Sequence, residues 1–215
     1  MHIAVTGNIG AGKTTLTQRL AQHYGWQVFL EAVEGNPYLA DFYDDMERWA
    51  FHLQVYFLRS RFEQVLQIRE ATHDVIQDRT IYEDAYIFAR NLHVSGILSN
   101  REYATYRSLF DIMMSVVEPP DLMIYLRADL PKLFRQIRQR GRPYEQNIGE
   151  RYLRALNEHY EEFAATYDSG KLLILDVNEL DFANRAEDWD WVRARVDEAI
   201  RERGGDTGER KTENG

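Results

Sequence analysis

The chain has 215 residues, 44% of them hydrophobic, with 26 Lys and Arg against 35 Asp and Glu and no cysteine. That length and apolar content suit a single domain with a small lid. The formal charge of −9 argues against a polynucleotide partner. The lack of cysteine excludes disulfides and thiolate metal sites and fits a reducing compartment. No apolar run approaches the roughly 20 residues of a bilayer span, and Met1-His2-Ile3-Ala4-Val5 lacks the basic and apolar regions of a leader. The expectation is a cytoplasmic protein with no membrane partner.

In chain order, residues 2–6 form a short apolar, β-branched run that predicts a buried parallel strand. Residues 13–24 carry Leu16, Leu20 and Ala21 at helical spacing, and Gly25 stops them. A second strand is expected over 27–30. A long helix follows over 46–69, where Phe51, Val55, Leu58, Phe62 and Val65 recur in steps of three and four. A third strand over 74–77 runs into Asp78-Arg79-Thr80. Helices are predicted over 82–93 and 101–117. Pro119-Pro120 then breaks the chain before a fourth strand at 122–126. Helices at 130–140 and 150–167 flank an arginine-bearing loop, with the lid expected at about 138–148. A fifth strand is expected at 172–177 and a last helix at 189–203. From Gly204 the chain has little to bury, and a disordered tail over 204–215 is expected. Strands alternating with helices predict an α/β fold, a five-stranded parallel sheet with helices on both faces.

Gly7-Asn8-Ile9-Gly10-Ala11-Gly12-Lys13-Thr14 satisfies G-x-x-x-x-G-K-[ST] between a predicted strand and a predicted helix. The glycines let backbone N–H groups converge on phosphate oxygens at a helix N-terminus. Lys13 can meet the β and γ oxygens, the Thr14 hydroxyl can ligate Mg²⁺, and Thr15 completes the loop. A chance glycine-rich turn rarely has both flanking elements in place. ATP is therefore the expected donor, with Mg²⁺.

Three further groups address the acceptor. Glu31 follows the second strand, where ligands of parallel sheets gather, and a carboxylate there can take a proton from a hydroxyl. A solvated loop glutamate is the plainer reading. Asp78 stands at the end of the third strand as a Walker-B acid does, and Arg79 can neutralise charge on a moving phosphoryl group. Their plainer reading is a surface ion pair. Arg135, Arg138, Arg140 and Arg142, followed by Glu145, surround Gly141 and Pro143. This pattern suits a loop that closes over phosphates better than a plain solvated face.

Together with the phosphate loop and Glu31, several segments carry a resemblance. They are Tyr43, Arg48-Trp49-Ala50-Phe51-His52-Leu53-Gln54, Asp78-Arg79-Thr80, Tyr82-Glu83-Asp84-Ala85-Tyr86-Ile87-Phe88-Ala89, Arg140-Gly141-Arg142-Pro143-Tyr144-Glu145-Gln146 and Asp176-Val177-Asn178-Glu179. This set resembles the deoxyribonucleoside kinase family from residue 1 to about 200. Asn36-Pro37-Tyr38-Leu39 looks most like its bacterial deoxyadenosine and deoxyguanosine branch. The resemblance implies a P-loop kinase with an arginine-rich lid, one kinase domain over 1–203, and a homodimer. It implies Glu31 as the base for the 5′-hydroxyl, with Arg79 holding that hydroxyl in line. Tyr43 and Glu145 would clamp the sugar 3′-hydroxyl. Gln54, Arg61 and Asp84 would read the base edge while Phe88 stacks on its face. Arg140 and Arg142 would meet the phosphates, with Arg138 or Arg135 making up for Gln136 where the family has its first lid arginine. Ala32 replaces the family's usual proline after Glu31, and Asp78 stands where many relatives carry Glu.

The residue chemistry agrees. Gln54 offers a donor and an acceptor together. It lies seven residues from Arg61, so the two share a helix face. Asp84 and Phe88, four apart, also share one. Taken alone, Gln54 reads as an exposed helix position and Phe88 as core. A thymidylate-type nucleoside monophosphate kinase shares the phosphate loop, the carboxylate and the Asp-Arg turn, but it would need a second anion site. A nucleotide-sensing switch would leave the sugar and base residues without purpose, and the base motif N-K-x-D is absent.

Overall fold

In the computed structural model, residues 1–31, 33, 35–145 and 148–206 are described, with side chains described as far as residue 202. Five parallel strands lie in the order β2-β3-β1-β4-β5: β1 His2–Gly7, β2 Gln27–Phe29, β3 Val75–Asp78, β4 Leu122–Arg127 and β5 Lys171–Asp176. β1, β3 and β4 are almost wholly buried; β1 and β4 accordingly run mostly apolar without alternation, while β3 ends in buried Gln77 and Asp78. Helices cover both faces of the sheet. The strands fall within one or two residues of their expected bounds.

Helix α1 (Lys13–Tyr24) matches expectation, ended by Gly25 in the left-handed conformation at φ 73°. Helix α3 (Met46–Glu70) is capped by Asp45, whose side chain accepts from the Arg48 N–H. Ahead of it lies a helix not expected from the sequence, α2 (Leu39–Asp44). Six residues are too few for a 3.6-residue period to show.

The predicted helix at 82–93 is a rod over 81–94 in three parts: α4 (Ile81–Glu83), a π-helical stretch (Asp84–Ala89) and α5 (Arg90–Val94). Helix α6 (Asn100–Met114) ends three residues earlier than expected. Helix α7 (Leu130–Arg140) ends on left-handed Gly141. A 3₁₀ turn (Pro143–Glu145) leads toward α8 (Glu150–Thr166). Helix α9 (Ala186–Asp206) runs through Gly204 and Gly205, past the boundary expected at Arg203. Residues 207–215 of the expected tail, and Gln146 and Asn147 of the expected lid, lie outside the described residues. No helix among the described residues is long and apolar enough to cross a membrane.

Two apolar cores result. The larger packs α1, α7, α8 and α9 on the sheet through residues such as Leu16, Leu20, Leu133, Leu156 and Val196. The smaller gathers Phe42, Leu53, Leu58, Ile81, Leu92, Tyr106 and Phe110 from the helices beyond the strand ends. Tyr43 and Tyr152 touch both cores, so the space between the cores opens directly on the carboxyl ends of the strands.

The phosphate loop is held tightly against α7. Gly10 sits at φ +86°, and an added Cβ would stand 2.7 Å from the Leu133 carbonyl and 3.0 Å from Ile137. Gly10→Ala is expected to destabilise the fold by about 2–4 kcal/mol, combining backbone strain with a clash against a helix backbone. Thermal melting of the purified variant measures this. An unchanged Tm would contradict the close approach.

Candidate active site

The order β2-β3-β1 sets three strand ends side by side. Val5 is in register with Asp78, and Phe29 with Gln77. The loop after β1, Glu31 after β2 and Asp78-Arg79 after β3 therefore meet, as the rule for ligands at the carboxyl ends of parallel strands requires. They border a cavity of about 660 Å³, of a size that holds small molecules.

Ile9, Gly10, Gly12, Lys13, Thr14 and Thr15 line it at one end. Lys13 is buried, with Nζ donating to the Asn8 carbonyl at 3.0 Å. Burial, with Arg79 nearby, lowers its pKa to about 8 against the pull of Asp78 and Glu31. Gly7 and Ala11 support the loop from outside the cavity lining. Asn8 turns its side chain away: its amide donates to the Leu153 carbonyl and to Asn157 Oδ1, and accepts from the Ile9 N–H. Only its backbone remains for phosphate. The Thr14 hydroxyl donates to Asp78 Oδ2 at 2.5 Å, while Asp78 Oδ1 is buried without a partner.

Glu31 reaches into the cavity with Oε1 2.8 Å from Arg79 Nε and 3.6 Å from Arg61 Nη2. The Arg79 contact is ionic, too bent for a hydrogen bond. Burial alone would raise the Glu31 pKa, but Arg79, Arg61, Lys13 and Arg142 outweigh it and hold the carboxyl below its usual range. It is therefore ionised at neutral pH. Arg79 itself has φ +71° and is the sole non-glycine residue with positive φ among those described. Strain of that kind marks residues whose direction matters. Its guanidinium lies 4.5 Å over the Phe88 ring.

The far end of the cavity is lined by Leu39, Phe42, Tyr43, Leu53, Gln54, Phe57, Asp84 and Phe88. Gln54 is 3% exposed, and its Oε1 has no partner. The π-helical stretch turns both Asp84 and Phe88 inward, a wider turn of the kind often met at functional sites. Burial pushes the Asp84 carboxyl up to about 7, against Arg61 and Arg79. Arg61 lies just behind the lining, with Nε 3.5 Å from Asp84 and Nη1 donating to the Asp78 carbonyl at 2.9 Å.

Of the arginine-rich segment, Arg140 and Arg142 line the cavity, and both pair with buried Glu145. Tyr144 stacks on Tyr43 with ring centroids 5.8 Å apart. Arg138 does not join them. It is exposed, its guanidinium 6.0 Å over Phe134, and Arg135 is exposed as well. Helical spacing explains this: Gln136 and Arg140 are four apart and share the inward face with Gln139 nearby, whereas Arg138 points elsewhere.

Sequence reasoning missed Tyr144, Tyr152 and Gln18 in the lining, and the buried pair Glu83 and Tyr160 behind Arg79. Thr80-Ile81-Tyr82-Glu83 does carry the T-x-x-E pattern of a capping box, which forms. Nothing local marks Tyr160.

Comparison with known proteins agrees with this geometry. The family model described as deoxynucleoside kinase matches residues 3–201. The chain is 41% identical over 184 residues to the deoxyadenosine/deoxycytidine kinase of Bacillus subtilis, covering 85% of each chain. It is 35% identical to the deoxyadenosine kinase of Lactobacillus acidophilus (94% of this chain, 97% of the relative) and 32% identical to the deoxyguanosine kinase of B. subtilis (92% and 97%). The solved structure of deoxyadenosine kinase from M. mycoides with bound dATP superposes with a TM-score of 0.81 at 31% identity, over 92% of this chain and 100% of that one. The chain belongs to the deoxynucleoside kinase family and is a phosphotransferase.

Proposed function

We propose that the protein transfers the γ-phosphoryl group of ATP to the 5′-hydroxyl of a purine deoxyribonucleoside, deoxyadenosine or deoxyguanosine, in nucleoside salvage. The observation that carries this reading is the single cavity end-lined by the phosphate loop and by Gln54, Asp84 and Phe88, with Glu31 and Arg79 between the ends. Deoxyadenosine and deoxyguanosine kinases among the relatives support the purine preference.

In this reading Glu31 accepts the 5′-hydroxyl proton as the oxygen attacks. Its depressed pKa keeps it unprotonated beforehand. Arg79, bound to Glu31, orients the hydroxyl and offsets charge on the phosphoryl oxygens, with Lys13 on the β and γ oxygens. Such transfer rests on position and charge more than on covalent chemistry. Thr14 and Asp78 fit Mg²⁺: a hydroxyl and a carboxylate touch, and a buried oxygen of Asp78 lacks a partner. When bound, the ion would neutralise phosphate charge. Arg140 and Arg142 act as lid residues at the phosphates, and Tyr43 and Glu145 hold the 3′-hydroxyl. Gln54 reads the base edge with Asp84, which near neutral pH can donate or accept, while Arg61 fixes Asp84.

A cytoplasmic homodimer completes the reading. The dimer is supported by the exposed Leu109, Ile112 and Val116 at helical spacing on and just after α6.

Initial rates with ATP and each of the four deoxynucleosides test this. The purine nucleosides are expected to lead and thymidine to trail; a thymidine preference would sink the reading of Arg61 and Asp84. Glu31→Gln is expected to lower kcat by about 10²–10⁴-fold while nucleoside binding survives. Near-normal turnover would refute the base assignment. ATP affinity is also expected to depend on Lys13 ionisation. Below pH 8 the ammonium is present and affinity is flat. Above about 8 a proton must be taken up on binding, and Kd is expected to rise up to about tenfold per pH unit. Calorimetric titration between pH 7 and 9.5 reads this directly.

A further inference from the structure

Glu83 is completely buried, and the mechanism above does not use it. Its two oxygens face different tasks. Oε2 accepts from the Thr80 N–H at 2.8 Å and the Thr80 hydroxyl at 3.4 Å, closing the capping box. Oε1 accepts from the Tyr160 hydroxyl at 2.8 Å and stands 3.5 Å from Arg79 Nη1. Tyr160, also fully buried, accepts in turn from Arg79 Nη1 at 2.7 Å.

The hydroxyl is thus donor and acceptor at once. Burial and Glu83 keep it protonated, outweighing Arg79. The chain of contacts runs Glu83, Tyr160, Arg79, Glu31, and its last member opens on the cavity. A capping role accounts for one oxygen of Glu83 only. A plain packing role accounts for the Tyr160 ring, which stacks with Tyr125 at 5.9 Å, but not for its hydroxyl. Arginine side chains have many rotamers, and Arg79 starts from a left-handed backbone. A fixed acceptor on Nη1 and a carboxylate behind it remove that freedom before substrate arrives.

We propose that Glu83 and Tyr160 are positioning residues that lock the Arg79 guanidinium against Glu31. They act through Arg79 and touch neither substrate. The inference rests on the catalytic reading of Arg79 given above.

The test is a double-mutant cycle with Arg79→Lys, measured as kcat and as KM for ATP and for deoxyadenosine. Arg79→Lys is expected to lower kcat at least 100-fold. Tyr160→Phe and Glu83→Gln in the parent are each expected to lower kcat about 10–100-fold, with both KM values within about threefold. In the Arg79→Lys background each is expected to add no more than about twofold, because the group it positions is gone. Glu83→Gln is nearly isosteric and covers the case in which the phenylalanine variant does not fold. Parent-like kcat in folded Tyr160→Phe and Glu83→Gln, or equal losses in both backgrounds, would overturn the positioning role. Parent-like kcat in Arg79→Lys would overturn the reading of Arg79 itself, and the proposal with it.

Discussion

The site is organised around one buried cation. The Arg79 guanidinium lies between Glu31 and Glu83, over the face of Phe88, on a backbone that few side chains adopt. A lone guanidinium there would be costly to desolvate, since removing a charge from water is compensated only by partners with good geometry. Those partners come from four parts of the chain: the end of β2, the capping box after β3, the π-helical stretch, and α8 through Tyr160. Each element must pack correctly for the cation to be paired. The same contact that balances the charge also aims Glu31 into the cavity.

The chain is acidic overall, yet the site is nearly balanced. Lys13, Arg61, Arg79, Arg140 and Arg142 face Glu31, Asp78, Glu83, Asp84 and Glu145. Such pairing keeps the cationic groups in and behind the lining of the 660 Å³ cavity from repelling one another. It also leaves exchangeable contacts. Glu145 holds both Arg140 and Arg142, so on the proposed reading a phosphate and a sugar hydroxyl arriving together divide one ion-pair cluster, and that cluster links donor to acceptor recognition.

The phosphate loop was legible because its chemistry is contiguous: glycines, lysine and threonine act within one turn of chain, and β1 and α1 flank them. β1 and β4 were legible because burial on both faces leaves them mostly apolar, and β2, β3 and β5 because short runs of Val, Ile, Leu and Phe stand between helical segments. Asp78, Arg79 and Glu31 followed from their places at strand ends. Helix α2 is too short to declare a period. The π-helical turn that sets Asp84 and Phe88 together has no marker of its own in the sequence. Asn8 occupies a loop position where any residue is allowed, so nothing signals that its amide ties the loop to α8. Arg138 belongs to a basic run whose members divide between two faces of a helix, and only the residues around that helix decide which face meets the cavity. Tyr160 meets Arg79 across 81 residues, a separation that periodicity cannot bridge.

On the proposed reading, Arg61 couples recognition of the base to the chemistry at the phosphate. Its fork spans four partners: Asp84, Gln64 Oε1, the Asp78 carbonyl at the turn that also touches Thr14, and Glu31. A guanidinium is rigid and planar, so moving one contact moves the others. Replacing Arg61 to admit another base would release Asp84, and it would also remove a positive charge that helps hold Glu31 ionised. On this reading, a change in base preference at Arg61 also changes the state of the proposed base. Gln54 makes no hydrogen bond to Glu31 or Asp84, and its buried Oε1 has no partner. On the proposed reading, it is the position from which specificity can shift without disturbing transfer.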